Sequence, residues 1–211
     1  MFNCQDGTTP LMLAASAGQD RIVSVLLEEG AEPDLRKLSG VTAVFLASAA
    51  GHHHVLSLLL AAGAQPDPVS QEGGTPLMAA AQAGHLAAVQ TLLQSGADPN
   101  TAMWDGATAL FLAAQNGHTS VLQLLLSRPG LRVDQQRRDG ATPLWISAQM
   151  GRQDCVRLLL QRGAQVDLAR SDGATPLFKA CHKGHESVVR EIIKYNPRLD
   201  TLQVRPTSTP Q

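Results

Sequence analysis

The chain punctuates itself at one fixed interval. The threonine of a Gly-x-Thr unit recurs at Thr9, Thr42, Thr75, Thr108, Thr142 and Thr175, in steps of 33, 33, 33, 34 and 33 residues. A glycine keeps the same steps at Gly18, Gly51, Gly84, Gly117, Gly151 and Gly184. Two independent marks in register over most of 211 residues limit the architecture sharply. A unit of this length is one supersecondary element that cannot bury its apolar side alone, so neighbours must stack. The one extra residue falls near Ser127-Arg128-Pro129-Gly130, where a turn absorbs it.

Local physics builds each unit. In Asp139-Gly140-Ala141-Thr142-Pro143-Leu144, Asp-Gly marks a tight turn. Thr142 caps a helix with its hydroxyl, and Pro143 suits the first helical position, where no N–H is needed. A short Leu/Ala-rich helix ends near Gly151. A second helix is predicted over 153–161, with Cys155, Val156, Leu159 and Leu160 buried. Gly163-Ala164 ends it, and an extended loop leads to the next Asp-Gly. Ala14, Ala47, Ala80, Ala113 and Ala180, with Ser147 in the fifth unit, let helices of adjacent units approach closely.

Composition narrows function. Net charge is -1, which gives no general attraction to nucleic acid or anionic membrane. Apolar residues make up 44% against 17% charged, too apolar for a disordered chain. Cys4, Cys155 and Cys181 are odd in number and widely spaced, so neither a disulfide framework nor a CxxC metal pair is implied. A reducing compartment, cytosol or nucleus, is expected. No apolar run is long enough to span a membrane, and 1–10 lacks the order of a signal peptide.

These residues resemble the ankyrin-repeat family. Thr9-Pro10-Leu11, Thr75-Pro76-Leu77, Thr142-Pro143-Leu144 and Thr175-Pro176-Leu177 match its Thr-Pro-Leu. Gly51-His52, Gly84-His85, Gly117-His118 and Gly184-His185 match its Gly-His. Gly30-Ala31, Gly63-Ala64, Gly96-Ala97 and Gly163-Ala164 match its Gly-Ala. The expected fold is all-α, an ankyrin-repeat solenoid of six stacked helix-turn-helix units with short β-hairpin-like finger loops, elongated and curved. The repeat domain is expected over 1–200, in units of about 6–38, 39-71, 72–104, 105–138, 139–171 and 172–204. The resemblance implies protein binding and leaves the partner open.

The sequence departs from the family in three places. Where the family usually has His after Thr-Pro-Leu, this chain has Met12, Phe45, Met78, Phe111, Trp145 and Phe178. A buried apolar ladder between units is the expected reading, with an exposed aromatic groove as the rival. The first unit looks internal, without a polar outer helix. A seventh unit begins at Asp200 and fails, because Arg205-Pro206 replaces Asp-Gly and 205–211 reads as a disordered tail. The ends predict a segment or short isoform of a longer array, or ends that pair in a dimer; a monomer is the preferred expectation.

No catalytic, cofactor or metal site is predicted. Consecutive helical residues point about 100° apart, so His52, His53 and His54 do not converge on one ion. Cys181 and His185 flank a helix-breaking Gly184, and Cys181 sits at a small core position. Ser16, Ser48 and Ser147 lack a nucleophile elbow. No phosphate-binding or dinucleotide loop is present.

Ankyrin arrays bind partners on finger loops and on the inner side of the first helices. The finger residues selected on that resemblance are Leu35, Arg36, Lys37 and Leu38, then Met103 and Trp104, then Arg137 and Arg138, then Arg170. Trp104 stands out, since no repeat position explains it. It is read equally as an exposed anchor or as a ring folded back onto its own finger. The helix residues are Gln115 and Asn116, Gln149 and Met150, and His182 and Lys183. The expected partner is another protein with an acidic or mixed acidic-apolar surface, meeting units three to six. A structural spacer and the substrate-holding part of a ubiquitin-ligase adaptor are the rival roles. Asn100 resembles the ankyrin context modified by asparaginyl hydroxylases, although Pro99 replaces the usual valine.

Overall fold

The computed structural model describes residues 6–200. The tail at 205–211 and Cys4 lie outside the described residues. The chain divides between Trp104 and Asp105 into two compact blocks.

The N-terminal block holds three helix pairs: α1 (Pro10–Ser16) and α2 (Asp20–Glu28), α3 (Ala43–Ala50) and α4 (His53–Ala61), α5 (Pro76–Ala83) and α6 (Leu86–Gln94). First helices stack on first helices, α1 on α3 on α5, and second helices follow in parallel, α2 on α4 on α6. The C-terminal block repeats the plan with α7 (Ala109–Asn116) and α8 (Thr119–Leu126), α9 (Pro143–Gln149) and α10 (Gln153–Gln161), α11 (Pro176–His182) and α12 (Glu186–Ile193). Here α7 packs on α9 on α11, and α8 on α10 on α12. The predicted span of α10 and its four buried residues agree with the structure.

None of these helices exceeds nine residues. Helices so short are marginal alone, so their ends and their packing hold them. Each first helix starts at the predicted threonine. The hydroxyls of Thr9, Thr42, Thr75, Thr108, Thr142 and Thr175 accept the N–H three residues on, at 3.1–3.4 Å. The extra residue of the fourth repeat is absorbed after α8, where Ser127 Oγ donates to Leu124 O at 2.7 Å and Gly130 takes φ 74°.

The small-residue row lies in the core. Ala47, Ala80, Ala113, Ser147 and Ala180 are fully buried, and Ser147 satisfies its hydroxyl on Pro143 O at 2.7 Å. The ladder expectation holds in part. Met12, Met78, Phe111 and Trp145 are buried, Phe45 is half-buried, and Phe178 is 42% exposed. Trp145 has much of its cover from the following repeat: its Nε1 donates to Ala174 O at 2.9 Å and Lys179 Nζ lies 5.5 Å from its ring centroid, while the Arg170 guanidinium of its own finger lies 5.2 Å away. Among the described residues no repeat follows Phe178, which explains its exposure. The same cause corrects Cys181. It is exposed, although its equivalents Ala15, Ser48, Ala81, Ala114 and Ala148 are all buried.

The mid-repeat glycine is required by its neighbour. Gly51 has φ 77°, and a Cβ there would lie 2.6 Å from the His85 ring. That ring turns its Nε2 to Ala49 O at 3.2 Å, and His52 and His185 do the same to Ser16 O and Gln149 O. A carbonyl only accepts, so Nε2 carries the proton in each. Each histidine thus caps the C-terminal end of the preceding repeat's first helix, where carbonyls lack intrahelical partners. In the fifth repeat Arg152 takes this place, its Nε 3.4 Å from Gln115 O.

Candidate partner-binding surface

The finger loops are tight hairpin-like turns rather than strands. Lys37 N–H donates to Val41 O and Gly40 N–H to Lys37 O, and the same pair recurs at Ser70/Gly74, Arg137/Ala141 and Arg170/Ala174. Successive fingers are tied by the N–H of one tip residue. Leu38 donates to Asp6 O, Gln71 to Ser39 O and Trp104 to Glu72 O in the N-terminal block. Arg138 donates to Asp105 O and Ser171 to Asp139 O in the C-terminal block. The loops between repeats are tied as well. Asp34, Asp67, Asp134 and Asp167 each accept the backbone N–H found 31 residues later, at Gln65, Asp98, Gln165 and Arg198. Burial holds the Asp67 and Asp134 carboxyls above the usual range despite these bonds.

In the N-terminal block the finger row is mixed, with exposed Gln71 between two apolar tips. Leu38 is 72% and Trp104 60% exposed, with Leu35 and Val69 beside them in the loop series. Trp104 neither stands free nor folds onto its own finger. Its indole N–H donates to Gln71 O at 2.6 Å, so the ring lies on the preceding finger with most of its surface open. Arg36 is tied to Val69 O at 3.1 Å, and Lys37 pairs with Asp6 at 3.0 Å. The Asp6 carboxyl is lowered to about 2, chiefly by bonds from Thr8 and then Lys37. Met103 is half-buried.

In the C-terminal block the arginines divide. Arg137 Nε reaches Asp105 at 3.4 Å and Asp139 at 3.7 Å, with its guanidinium 5.3 Å from the Phe111 centroid. Arg170 Nε reaches Asp139 at 3.4 Å and covers Trp145. Both are half-buried stays within a charge ladder, Asp105–Arg137–Asp139–Arg170–Asp172, and not free finger-tip cations. The contacts are ion pairs without straight hydrogen bonds at Nε. Arg138, one residue on, is exposed. Sequence reasoning missed this division; the signal was that Arg137 and Arg170 each stand two residues before the Asp of an Asp-Gly turn, a spacing that Arg138 does not share. On the first helices Gln115, Asn116 and Gln149 are half-exposed, and Met150, His182 and Lys183 are exposed. The His182 ring stacks on Phe178 with centroids 6.4 Å apart.

Among the described residues no three His, Cys, Asp or Glu side chains gather as a metal site, and no helix is long and apolar enough to cross a membrane. The His53 and His54 rings lie 4.1 Å apart and tilted. Cys155 is buried, and burial pushes its thiol up, away from nucleophilic use. Asn100 is half-buried, its N–H bonded to the Asp98 carboxylate at 2.9 Å.

Known proteins agree with this plan. The family described as ankyrin repeats (3 copies) matches residues 11–103 and 100–170, and a single ankyrin repeat matches 172–201. No curated protein matches the chain. Among solved structures, the human ASB11 ankyrin repeat domain is 28% identical with a TM-score of 0.86, covering 93% of this chain and 88% of its own. The ankyrin repeat domain of Bcl-3, a member of the IkappaB protein family, is 30% identical with a TM-score of 0.81 over 92% and 88%. An ankyrin repeat domain from Acinetobacter baumannii AYE is 29% identical with a TM-score of 0.81 over 90% and 98%. The chain belongs to the ankyrin-repeat family, whose fold is a non-enzymatic protein-interaction scaffold.

Proposed function

We propose that the chain holds a partner protein on its finger tips and on the inner faces of its first helices. One observation carries the reading. The residue at the finger-tip position has its backbone N–H fixed on the preceding finger, while its side chain differs from repeat to repeat: Leu38, Gln71 and Trp104 in one block, Arg138 and Ser171 in the other. A rigid support under a changeable side chain lowers the ordering cost of binding.

The two blocks offer different chemistry. The N-terminal fingers offer Leu35, Leu38 and Trp104, apolar side chains on either side of exposed Gln71, with the indole already anchored. The C-terminal block offers Arg138, His182 and Lys183 with Gln115, Asn116, Gln149 and Met150 as polar or soft neighbours. A partner with an acidic stretch and an apolar stretch suits both, in a cytosolic or nuclear setting. Asn100 is the candidate hydroxylation site, read by the mass of one added oxygen after co-expression with an asparaginyl hydroxylase.

The test is affinity capture with the wild type and with Trp104→Ala plus Arg138→Glu, leaving Arg137 and Arg170 intact because they hold the fingers. Truncating a tryptophan anchor costs roughly 2 kcal/mol or more, about 30-fold in affinity. A protein kept by the wild type and lost by the folded variant supports the proposal. Equal recovery by both ends it.

A further inference from the structure

The first and sixth repeats each carry an apolar face that every other repeat keeps covered. In the first, Ile22 is 51% exposed, although its equivalents Val55, Ala88, Val121, Cys155 and Val188 are all buried. Leu13 is 59% exposed, and its equivalent Lys179 is the residue that reaches back to the ring of Trp145 in the repeat before. In the sixth, Phe178, Cys181 and Leu199 are exposed around a hollow of about 200 Å³, lined also by Thr175, Leu177 and Arg198. The same positions one repeat earlier, Trp145 and Ala148, are closed by the repeat that follows.

The two faces are the two halves of one contact that the chain makes within each block. Trp145 receives Lys179 from the next repeat; Phe178 lacks that visitor among the described residues, and Leu13 lacks its host. Charge agrees with such a match. The first repeat, 6–38, carries six acidic and three basic residues, while the sixth, 172–204, carries four acidic and five basic, with Arg198 lining the hollow beside Phe178. Opposite signs steer the two faces together and disfavour like-to-like pairing.

We propose that these faces bind each other between two copies of this chain, head to tail, so that the first repeat of one copy stacks on the sixth repeat of the next. The interface is heterologous: each copy uses one face as donor and the other as acceptor, which leaves a further face open at each end.

Sedimentation velocity and thiol labelling test this on the full chain. Wild type is compared with Ile22→Glu and Phe178→Glu, all in a Cys4→Ser background, in which Cys181 is the one exposed thiol beside buried Cys155. Between about 1 and 100 µM the wild-type mass rises and Cys181 labelling slows, as a micromolar contact requires. Each variant alone stays monomeric. Their equimolar mixture forms a dimer and nothing larger, because one good face of each kind remains. Leu13→Glu and Leu199→Glu repeat the test should either first variant melt early. Three results overturn the proposal: a wild-type monomer at the highest concentration, self-association that survives in either variant, or Cys181 protection that does not change with concentration. The last assigns the face to residues of the same chain.

Discussion

Replacing Trp145 tests how the stack is held together. The side chain is 2% exposed and makes two contacts with the repeat after it, the hydrogen bond to Ala174 O at 2.9 Å and the Lys179 cation over its ring, and a third with the Arg170 cation at the end of its own repeat. Trp145→Phe keeps most of the volume and both cations but gives up one of the two hydrogen bonds to Ala174 O, which keeps the Arg170 N–H at 3.0 Å, a loss of about 0.5–1.5 kcal/mol. Trp145→Ala adds the cavity, for roughly 3–5 kcal/mol in all. Arg170 is a third exposed at its side chain, so its ring contact contributes only about 0.5–1 kcal/mol. A double-mutant cycle of Trp145→Ala with Arg170→Ala should return a coupling of that size. In a stack coupled only between neighbours, the damage falls first on the repeat beyond the lesion. Urea unfolding followed by far-UV circular dichroism gives the total, and hydrogen exchange locates it. In Trp145→Ala, amides of α11 and α12 should exchange more than about 100-fold faster, while those of α1 to α4 keep their rates. A total cost under about 1 kcal/mol refutes the reasoning, as does equal acceleration in α1 to α4.

Other expectations follow from the same contacts. Gly51→Ala forces a side chain into φ 77° and into the His85 ring at 2.6 Å, and should cost about 1–3 kcal/mol by thermal or urea unfolding. Asp67→Asn and Asp134→Asn keep an acceptor for the Asp98 and Gln165 N–H groups while removing a half-buried charge, so each should raise Tm by about 2 °C. Their raised carboxyls favour the folded state at acid pH, and this contribution is lost as pH climbs through the folded value; the Asn variants should therefore gain more at pH 7 than at pH 3.5. Asp6 acts in the opposite sense, lowered to about 2, so its contribution persists at neutral pH and fades only as pH falls toward that value. Arg138→Glu should leave Tm unchanged within about 1 °C, whereas Arg137→Ala lowers it, because only Arg137 sits in the ion-pair ladder.

The repeat plan was legible because its signals are local. A capping threonine, a proline at the first helical turn and a glycine that admits positive φ act within a few residues of where they stand. The bounds of α10 and its buried side follow from them directly. What a repeat receives from its neighbour was harder to read. Cys181 occupies a position that is buried in every other repeat, and it is exposed only because burial there depends on the next repeat. Phe178 departs from the ladder for the same reason. Arg137 and Arg138 are adjacent and alike in sequence, yet one is bent over Phe111 between two carboxylates and the other faces solvent. Their separation depends on where the preceding Asp-Gly turn is placed, which is a distance in space and not along the chain. Trp104 was the hardest case, since its hydrogen-bond acceptor, Gln71 O, lies 33 residues away.

The central claim is that partners meet the finger tips and not the second helices. Site-specific photocrosslinking tests it most directly, with a photoreactive residue placed at Leu38, Trp104 or Arg138, and at Ser57, Gln90 or Gln123 on the exposed sides of α4, α6 and α8. The account predicts one shared adduct from the finger positions and none from the helix positions. The same adduct from Ser57, Gln90 and Gln123, with the fingers silent, would contradict it.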